Sequence, residues 1–373
     1  MLSRRTFIKN TLAAGVALGS AAMMNGCADV TRKDFPAFQE TTIPIANLDN
    51  TALTILYHAS LAPSGHNSQP WRVRIENPDN WIIQADAARR LPCVDPQNRE
   101  MMLSLGTFIE NLSLAAGAVG LGTDIQVIAR DHHERDVVRV AFYKDKPTGY
   151  PLQRLKKRRT VKHGHLPREI TAADVNLLSD GMKGHLFYFP RGSDHAACIR
   201  DAAVENYRVQ TRRDDAQQEL VRWLRLNPRD AKRHRDGLST EGMEIMGFKG
   251  WFVRQFVQPQ DFLKATYRQQ GVDLIAELAQ QGGGWFVITS PGPTIADLID
   301  TGRRFERMAL RAREYGLGIH PMTQMLEEKQ GIEQIAGSHG SGFYPQFVLR
   351  VGYLETYPQP VSLRRPVDWF VTK

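Results

Sequence analysis

The chain has 373 residues, of which 42% are hydrophobic and 24% are charged. These values are typical of globular proteins and exclude disordered, collagen-like and coiled-coil classes. The formal charge is +8, part of it from Arg4, Arg5 and Lys9 in a predicted leader. The mildly basic remainder favours an anionic ligand and is too diffuse to indicate nucleic acid. The three cysteines form no C-x-x-C pair, which excludes a zinc ribbon, an iron–sulfur module and a disulfide scaffold.

Residues 1–26 are predicted to be an export signal. A modest apolar run, too short to span a membrane, follows the string Ser3-Arg4-Arg5-Thr6-Phe7-Ile8-Lys9. This string resembles the twin-arginine signal S-R-R-x-F-[L/I]-K at every fixed position. The resemblance implies that the twin-arginine translocase exports the folded chain to the periplasm. The alternative is an ordinary amphipathic or membrane-anchoring N-terminus.

Two interpretations remain open for Cys27, which ends the string Met24-Asn25-Gly26-Cys27. It is either the acylated residue of a degenerate lipobox, which would anchor the protein to the membrane, or a residue close to an ordinary cleavage site. Residues 27–46 carry proline, threonine and mixed charge, and this composition is typical of a linker.

The rest of the chain divides at a Pro- and Gly-containing break near residue 146. Hydrophobic periodicity in 47–145 predicts helix 47–61, strands 71–75 and 81–83, helix 99–121, and strands 124–130 and 136–143. In 146–373 it predicts helix 171–181, strand 186–189, a polar helical insert at 195–275, strand 285–289, helix 294–315 and strand 346–351.

An internal echo indicates a duplication. In each half a long helix ends in Gly-Leu-Gly and a strand follows, at Gly120-Leu121-Gly122 and at Gly316-Leu317-Gly318. Glycine commonly closes helices, so part of this match is chance. A diverged repeat of roughly 150 residues nevertheless agrees with the chain length.

The most informative string is Pro63-Ser64-Gly65-His66-Asn67-Ser68-Gln69-Pro70-Trp71. It predicts a tight loop whose backbone and side-chain polar groups can hold a flat heteroaromatic ring by its edge. It resembles the flavin loop P-S-x-x-N-x-Q-P-W of the nitroreductase family. The alternative is a turn capped by serine and asparagine.

Two basic strings complete the pattern: Arg158-Arg159-Thr160-Val161-Lys162, and Arg364-Arg365 after the final strand. Cations and a hydroxyl on alternate residues suit a phosphate ester. The first resembles the family's R-x-[S/T]-x-[R/K] string, which grips the phosphate of FMN, and the second resembles its C-terminal basic pair. The alternatives are a solvated helix face and a solvated tail.

The resemblance implies an α+β, nitroreductase-like fold: a fused pseudo-dimer of mostly antiparallel sheets flanked by helices. One half carries the loop and the other the phosphate grip, so the chain should hold one composite FMN site, as in the Acg-type subgroup with a twin-arginine signal. The backbone near Met322 would lie along the reactive edge of the flavin. The implied cofactor-binding residues are Ser64, Gly65, His66, Asn67, Gln69, Arg158, Arg159, Thr160, Lys162, Met322, Arg364 and Arg365.

Other site types lack their motifs. No G-x-G-x-x-G lies between a strand and a helix, and His132-His133 and His163-x-His165 lack a further ligand at metal spacing. No catalytic side chain is assigned, because the flavin would carry the chemistry. His58 and His66 are interpreted as hydrogen-bonding groups rather than proton donors.

The implied activity is a two-electron reduction of nitro- or quinone-like small molecules. Because nicotinamide cofactors are scarce outside the cytoplasm, NAD(P)H is a doubtful donor for an exported enzyme. The rival hypothesis is a flavin-sequestering protein whose insert, with Trp223, Trp251, Phe252 and Phe256, closes over the flavin. A scaffold without any ligand is a third. A fused pseudo-dimer is expected to work as a monomer.

Overall fold

The structure is a computed structural model that describes residues 30–35, 48–339 and 342–372. The predicted export signal, Cys27 and most of the predicted linker therefore lie outside the described residues. The part of the linker that is described, 30–35, forms a short turn capped by Thr31. Val30 is buried there against Ala231 and Leu363, so this part of the linker packs on the folded body.

The first half of the chain builds one mostly antiparallel sheet. Its helices are α1 (Asn50–Ala59) and α2 (Arg99–Ala118), and its strands are β1 (Trp71–Asn77), β2 (Asn80–Ala85), β3 (Leu121–Val127) and β4 (Asp136–Lys144). The strand order is β1-β2-β4-β3, and Trp71 pairs with Ala85 across the β1–β2 hairpin. Trp71 and Val73 of β1 and Trp81 and Ile83 of β2 pack in the core, and the intervening residues of β2 are buried as well.

The second half begins with two short helices, α3 (Gln153–Lys157) and α4 (Ala172–Ser179), and the strand β5 (Leu186–Pro190). A helical region then runs from 191 to 283, wider at both ends than the predicted insert. Its elements are α5 (Asp194–Arg212), α6 (Asp214–Trp223), β6 (Leu224–Arg225), α7 (Pro228–His234), β7 (Leu238–Ser239), α8 (Gly247–Phe256) and α9 (Ala265–Ala279). The equivalent connection in the first half, between β1 and β2, is a two-residue turn.

The second sheet follows this region. Its remaining strands are β8 (Gly284–Ser290), β9 (Leu317–Pro321) and β10 (Tyr344–Tyr353). The helix α10 (Ile295–Glu314) lies between β8 and β9 in the chain, and α11 (Lys329–His339) lies between β9 and β10. The chain ends with β11 (Val371–Thr372), which belongs to the first sheet. The strand order is β5-β8-β10-β9, which repeats the order of the first sheet. The predicted α+β architecture with two related halves is thereby confirmed.

The halves meet where the two 20-residue helices α2 and α10 cross. A Cβ on Gly106 would lie 2.3 Å from the carbonyl oxygen of Ile299, and one on Gly302 would lie 2.1 Å from that of Leu103. Gly106 and Gly302 precede Gly120 and Gly316 by the same number of residues. The closest contact between the halves is therefore made by equivalent positions of the repeat.

The C-terminal strand joins the halves a second time. β11 pairs in parallel with β1, and Val371 lies opposite Val73. Phe370, fully buried, contacts Phe108 of α2 edge to face. The segment after β10 therefore runs from the second half back to the first. Among the described helices, only α2 is long and apolar enough to cross a membrane, and its burial in this core accounts for its composition.

Candidate functional site

The loop between α1 and β1 has an unusual backbone. His66, Asn67 and Gln69 have φ values of 51°, 52° and 53°, a region that residues other than glycine seldom occupy. The Ser64 hydroxyl accepts a hydrogen bond from the Gln69 N–H at 2.9 Å, which closes the loop on itself. Residues held in such conformations cluster at binding sites, where the surrounding structure fixes them.

The two amide side chains of this loop are committed to the protein. The Asn67 amide donates to the carbonyls of Gly237 at 3.1 Å and Leu363 at 3.2 Å. Gln69 donates to the carbonyl of Arg235 at 2.9 Å and accepts from the backbone N–H of Arg365 at 2.8 Å. Asn67 and Gln69 therefore connect the loop to the insert and to the C-terminal segment, whereas the sequence predicted that they hold a ligand directly.

The first basic string runs along the edge of the second sheet. The Val161 N–H donates to the carbonyl of Ile319 at 3.1 Å, and the buried Arg350 of β10 donates to the carbonyl of Lys162. These contacts fix the backbone of the string, and its Arg158 side chain reaches the carbonyl of Leu61 in the first half. Thr160 is half-buried within it.

Each arginine of this string faces a carboxylate. Arg158 is buried, with its Nε 3.1 Å from an oxygen of Glu306 on α10. Arg159 lies 2.6 Å from Glu244, in the segment between β7 and α8. The other oxygen of Glu244 accepts from the backbone N–H groups of Lys162 and His163 at 3.1 and 3.0 Å. A carboxylate of the insert thus occupies one side of the predicted phosphate grip.

The two C-terminal arginines diverge. Arg364 donates to Asn67 Oδ1 at 2.9 Å and to the carbonyl of Leu61 at 3.0 Å, and Arg158 donates to the same carbonyl at 3.3 Å. The Arg365 side chain instead donates to the carbonyls of Gln69 at 2.6 Å and Trp71 at 2.8 Å. Arg364 therefore joins the first basic string, and Arg365 lies on the other side of the loop.

The side chains around Arg364 form a strongly cationic cluster, which we call the basic cluster. Burial and its neighbours Arg32 and Arg158 hold the pKa of Arg364 well below its usual value. Burial and Arg158 likewise lower the pKa of Arg32 to about 10. Mutual repulsion of this kind is relieved when an anion binds between the cations. The members of the basic cluster are Arg32, Arg158, Arg159, Lys162 and Arg364.

Among the described residues, two carboxylates, Glu306 and Glu244, form ion pairs with the five cations of the basic cluster. Burial raises the pKa of Glu306 to about 7, so this carboxyl is partly protonated at neutral pH. Glu244 faces Arg159 and the backbone of Lys162, and the nearby charges lower its pKa despite its burial. The described ion pairs give Arg32, Lys162 and Arg364 no carboxylate partner. The cluster therefore suits a dianion such as a phosphate ester.

Residues of the loop lie close to the basic cluster and to the second half of the chain. Burial, followed by the charge of Lys162, lowers the pKa of His66 to about 4, so this imidazole is neutral at physiological pH. A Cβ on Gly65 would lie 3.1 Å from Oε2 of Glu100. Glu100 in turn hydrogen-bonds Glu327 and Thr323 of the second half. Residues of both halves thus meet beside the loop.

Two buried carboxyls, Glu100 and Glu327, lie together beside the loop. Burial raises the pKa of Glu100, and burial together with Glu100 raises the pKa of Glu327 well above its usual value. Gln210 of the insert donates to Glu327 at 2.6 Å. Two carboxyls this close disfavour each other's ionised form, while Arg99, 2.9 Å from Glu100, opposes this effect.

The Met322 side chain and the aromatic residues of α8 are not part of the basic cluster. The Met322 side chain is fully buried in an apolar cluster with Trp285 and Met325, while its backbone N–H donates to the carbonyl of Val348 at 2.8 Å. Trp251, Phe252 and Phe256 of α8 are 38%, 47% and 62% exposed. These three rings contact one another, and the insert reaches the basic string through Glu244.

Sequence reasoning missed several residues of this site. Arg32 lies in a stretch interpreted as linker, Glu244 lies in an insert without a motif, and Glu306 is one acidic residue of a long helix. Glu100 and Glu327 are far apart in sequence, and no local spacing relates them. The one sequence feature that could have indicated such a residue is the charged Glu306 on the otherwise apolar face of α10.

The chain was compared with known proteins. No known protein-family profile matches the chain. A probable NAD(P)H nitroreductase, PigM of Serratia sp., is 23% identical over 313 residues, which is 79% of this chain and 86% of that protein. The putative NAD(P)H nitroreductase acg of Mycobacterium tuberculosis is 24% identical over 328 residues, 83% of this chain and 92% of that protein.

A second putative NAD(P)H nitroreductase of M. tuberculosis is 25% identical over 352 residues, 90% of this chain and 94% of that protein. Among solved structures, the FMN-dependent nitroreductase NfnB of Mycobacterium smegmatis, in complex with NADPH, aligns with 13% identity and a TM-score of 0.34. That alignment covers 56% of this chain and 92% of NfnB. The full-length relatives support the predicted nitroreductase-like fold and the predicted oxidoreductase class.

Proposed function

We propose that the chain is an FMN-dependent oxidoreductase of the nitroreductase type, with one composite site. The observation that carries the proposal is the convergence of three distant segments: the 63–71 loop, the 158–162 string and Arg364. Arg364 links them directly, since it contacts Asn67 and shares the Leu61 carbonyl with Arg158. Several relatives that match most of the chain are named as probable or putative NAD(P)H nitroreductases.

The residues present fit FMN. The basic cluster carries an excess of positive charge that a phosphate dianion would balance, and Lys162 and Arg364 are partly accessible to receive it. The buried Oε1 of Gln324, directly after the Met322 segment, has no hydrogen-bond partner among the described residues. Such an atom is expected where a polar ligand group completes the site.

FMN, when bound, supplies two-electron transfer between a donor and an acceptor. The basic cluster would hold its phosphate, and the rigid 63–71 backbone would orient its ring. Neutral His66 leaves a donor and an acceptor nitrogen beside the loop. Glu100 and Glu327 place two carboxyls next to Gly65, and their burial and proximity raise their pKa values, which favours the protonated form that a reduced acceptor would need. NAD(P)H is the donor that the names of the relatives suggest.

The test is the visible spectrum of the purified protein without oxygen, before and after addition of excess NADPH. We expect a flavin spectrum, with about one FMN for each chain, that bleaches when NADPH is added. Folded protein that was produced with FMN available and shows no flavin spectrum would contradict the proposed site.

A second candidate function is flavin sequestration, and the position of Glu244 favours it. This carboxylate ties the insert to Arg159 and to the backbone of Lys162 and His163. If the insert restricts access to the flavin, Glu244→Gln should free the insert from the basic string, because the neutral amide loses the ion pair with Arg159. We expect NADPH to bleach the flavin about tenfold faster in E244Q, as measured by stopped-flow absorbance.

The matched control is Glu333→Gln, an exposed carboxylate whose ion pair among the described residues is with Lys329 on α11. An unchanged bleaching rate in E244Q would show that the insert is not the barrier. A faster rate in E244Q alone would favour sequestration as the resting state of the protein.

We also propose that the chain is exported to the periplasm by the twin-arginine pathway. The support is the match of Ser3–Lys9 to the signal pattern. A folded, cofactor-loaded cargo suits this pathway. Nitro- or quinone-like acceptors, acylation at Cys27 and a monomeric state belong to the same proposal.

A further inference from the structure

A second cationic pocket lies on the side of the loop opposite the basic cluster. Its volume is about 540 Å³, and it is formed by the segment after β2, the end of α6, and the C-terminal residues around Arg365. Its cationic lining consists of Arg72, Arg89, Arg90, Arg222, Arg225 and Arg365. We call this the arginine pocket.

The carboxylates of the arginine pocket are already committed. Asp236 pairs with Arg89 at 2.8 Å and with Arg225 at 2.9 Å. Asp86 lies between Arg72 and Arg89, at 3.3 and 3.5 Å. Three acidic residues therefore stand against six arginines, and a surplus of positive charge faces the pocket.

The third carboxylate contributes still less counter-charge. Glu219 accepts from the backbone N–H groups of Cys93 and Val94 at 3.0 and 3.3 Å. Burial raises its pKa, and none of the described arginines forms an ion pair with it. Glu219 therefore positions the 93–94 backbone rather than pairing with the arginines.

Two of the guanidinium groups show the surplus directly. The Nε atoms of Arg90 and Arg365 are buried and have no hydrogen-bond partner among the described residues. Arg222 is exposed at the rim, and no described carboxylate lies within ion-pair distance of it. Burial and the charge of Arg89 lower the pKa of Arg365 to about 9, in agreement with crowded like charges.

We propose that the arginine pocket binds a phosphate-bearing anion in addition to the ligand of the basic cluster. Guanidinium groups form paired hydrogen bonds with phosphate oxygens, and several of them around one cavity suit a compact polyphosphate. The pocket also has an aromatic wall, because Trp369 is 41% exposed at its edge. Either inorganic polyphosphate or the phosphate groups of a nucleotide would present this chemistry.

The experiment is calorimetric titration of the full chain with inorganic pyrophosphate at low ionic strength. Excess FMN in both solutions keeps the basic cluster occupied. The test variant is the double substitution Arg90→Ala and Arg222→Ala, which removes the two arginines without a described carboxylate partner. The matched control is Arg229→Ala, an exposed arginine of α7 outside the pocket.

We expect saturable binding that weakens at least about tenfold in the double variant and is unchanged in Arg229→Ala. A second titration with ADP distinguishes the sources: tighter binding than pyrophosphate indicates a nucleotide, and equal binding indicates a phosphate ion. Absence of saturable binding to the wild type, or equal binding by the double variant, would overturn the proposal. Neither result depends on flavin reduction, so the proposed activity is tested separately.

Discussion

Replacing Arg364 with alanine is expected to weaken FMN binding by about 100-fold. Its guanidinium supplies charge to the basic cluster and holds Asn67 of the loop at 2.9 Å, so both halves of the site lose a contact. A hydrogen bond to a charged group contributes about 1.5–3 kcal/mol, and two such losses give this order of magnitude. Fluorescence titration of the unloaded protein with FMN measures the change.

Two further variants make the Arg364 result specific. Arg364→Lys keeps the charge but loses the forked geometry, and an intermediate affinity is expected. Lys157→Ala removes an exposed charge next to the basic string and should leave the affinity nearly unchanged. An R364A protein that folds and binds FMN within threefold of the wild type would refute the assignment of the phosphate site.

Replacing Gly302 with alanine is expected to destabilise the whole protein. Its Cβ would lie 2.1 Å from the carbonyl oxygen of Leu103 and 3.1 Å from the Cα of Gly106. Backbone atoms cannot yield as a flexible side chain would, so α2 and α10 must separate. We expect a loss of about 3 kcal/mol or more, seen as a lower midpoint of thermal unfolding by circular dichroism.

The same substitution should also reduce FMN binding, because the crossing of α2 and α10 sets how the two halves meet. The matched control is Gly337→Ala on α11, where an added Cβ meets nothing within 4 Å. Alanine in an open helical position is neutral or slightly stabilising. If Gly302→Ala and Gly337→Ala unfold at the same temperature as the wild type, the close crossing does not hold the halves together.

The aromatic residues of α8 show that a sequence pattern does not determine where a side chain lies in the fold. Bulky aromatic residues in the insert predicted a lid over the site. In the structure Phe248, Trp251, Phe252 and Phe256 are exposed, while the inner side of α8 packs through Val253 on a small apolar cluster. The contact with the basic string comes instead from Glu244, a single charged residue that no apolar pattern marks.

Most helices and strands could be predicted from the sequence of the segment that forms them. Period-two alternation marked β1, and an apolar face marked the long helix α2, because the burial of one face repeats with the period of the element. A short apolar run marked β2. The Gly-Leu-Gly echo predicted the duplication, and the identical strand orders confirmed it. The short strands β6, β7 and β11 were missed, since strands of two residues carry no periodicity.

Only the tertiary structure decided how the site is built. The sequence by itself determined two related α+β halves, a polar loop at 63–71 and basic strings at 158–162 and 364–365. It could not separate Arg364 from Arg365, because neighbouring residues in an extended segment point to opposite sides. It could not bring Arg32, Glu244 or Glu306 to the basic strings either, because charge pairing acts through space between elements that sequence spacing does not relate.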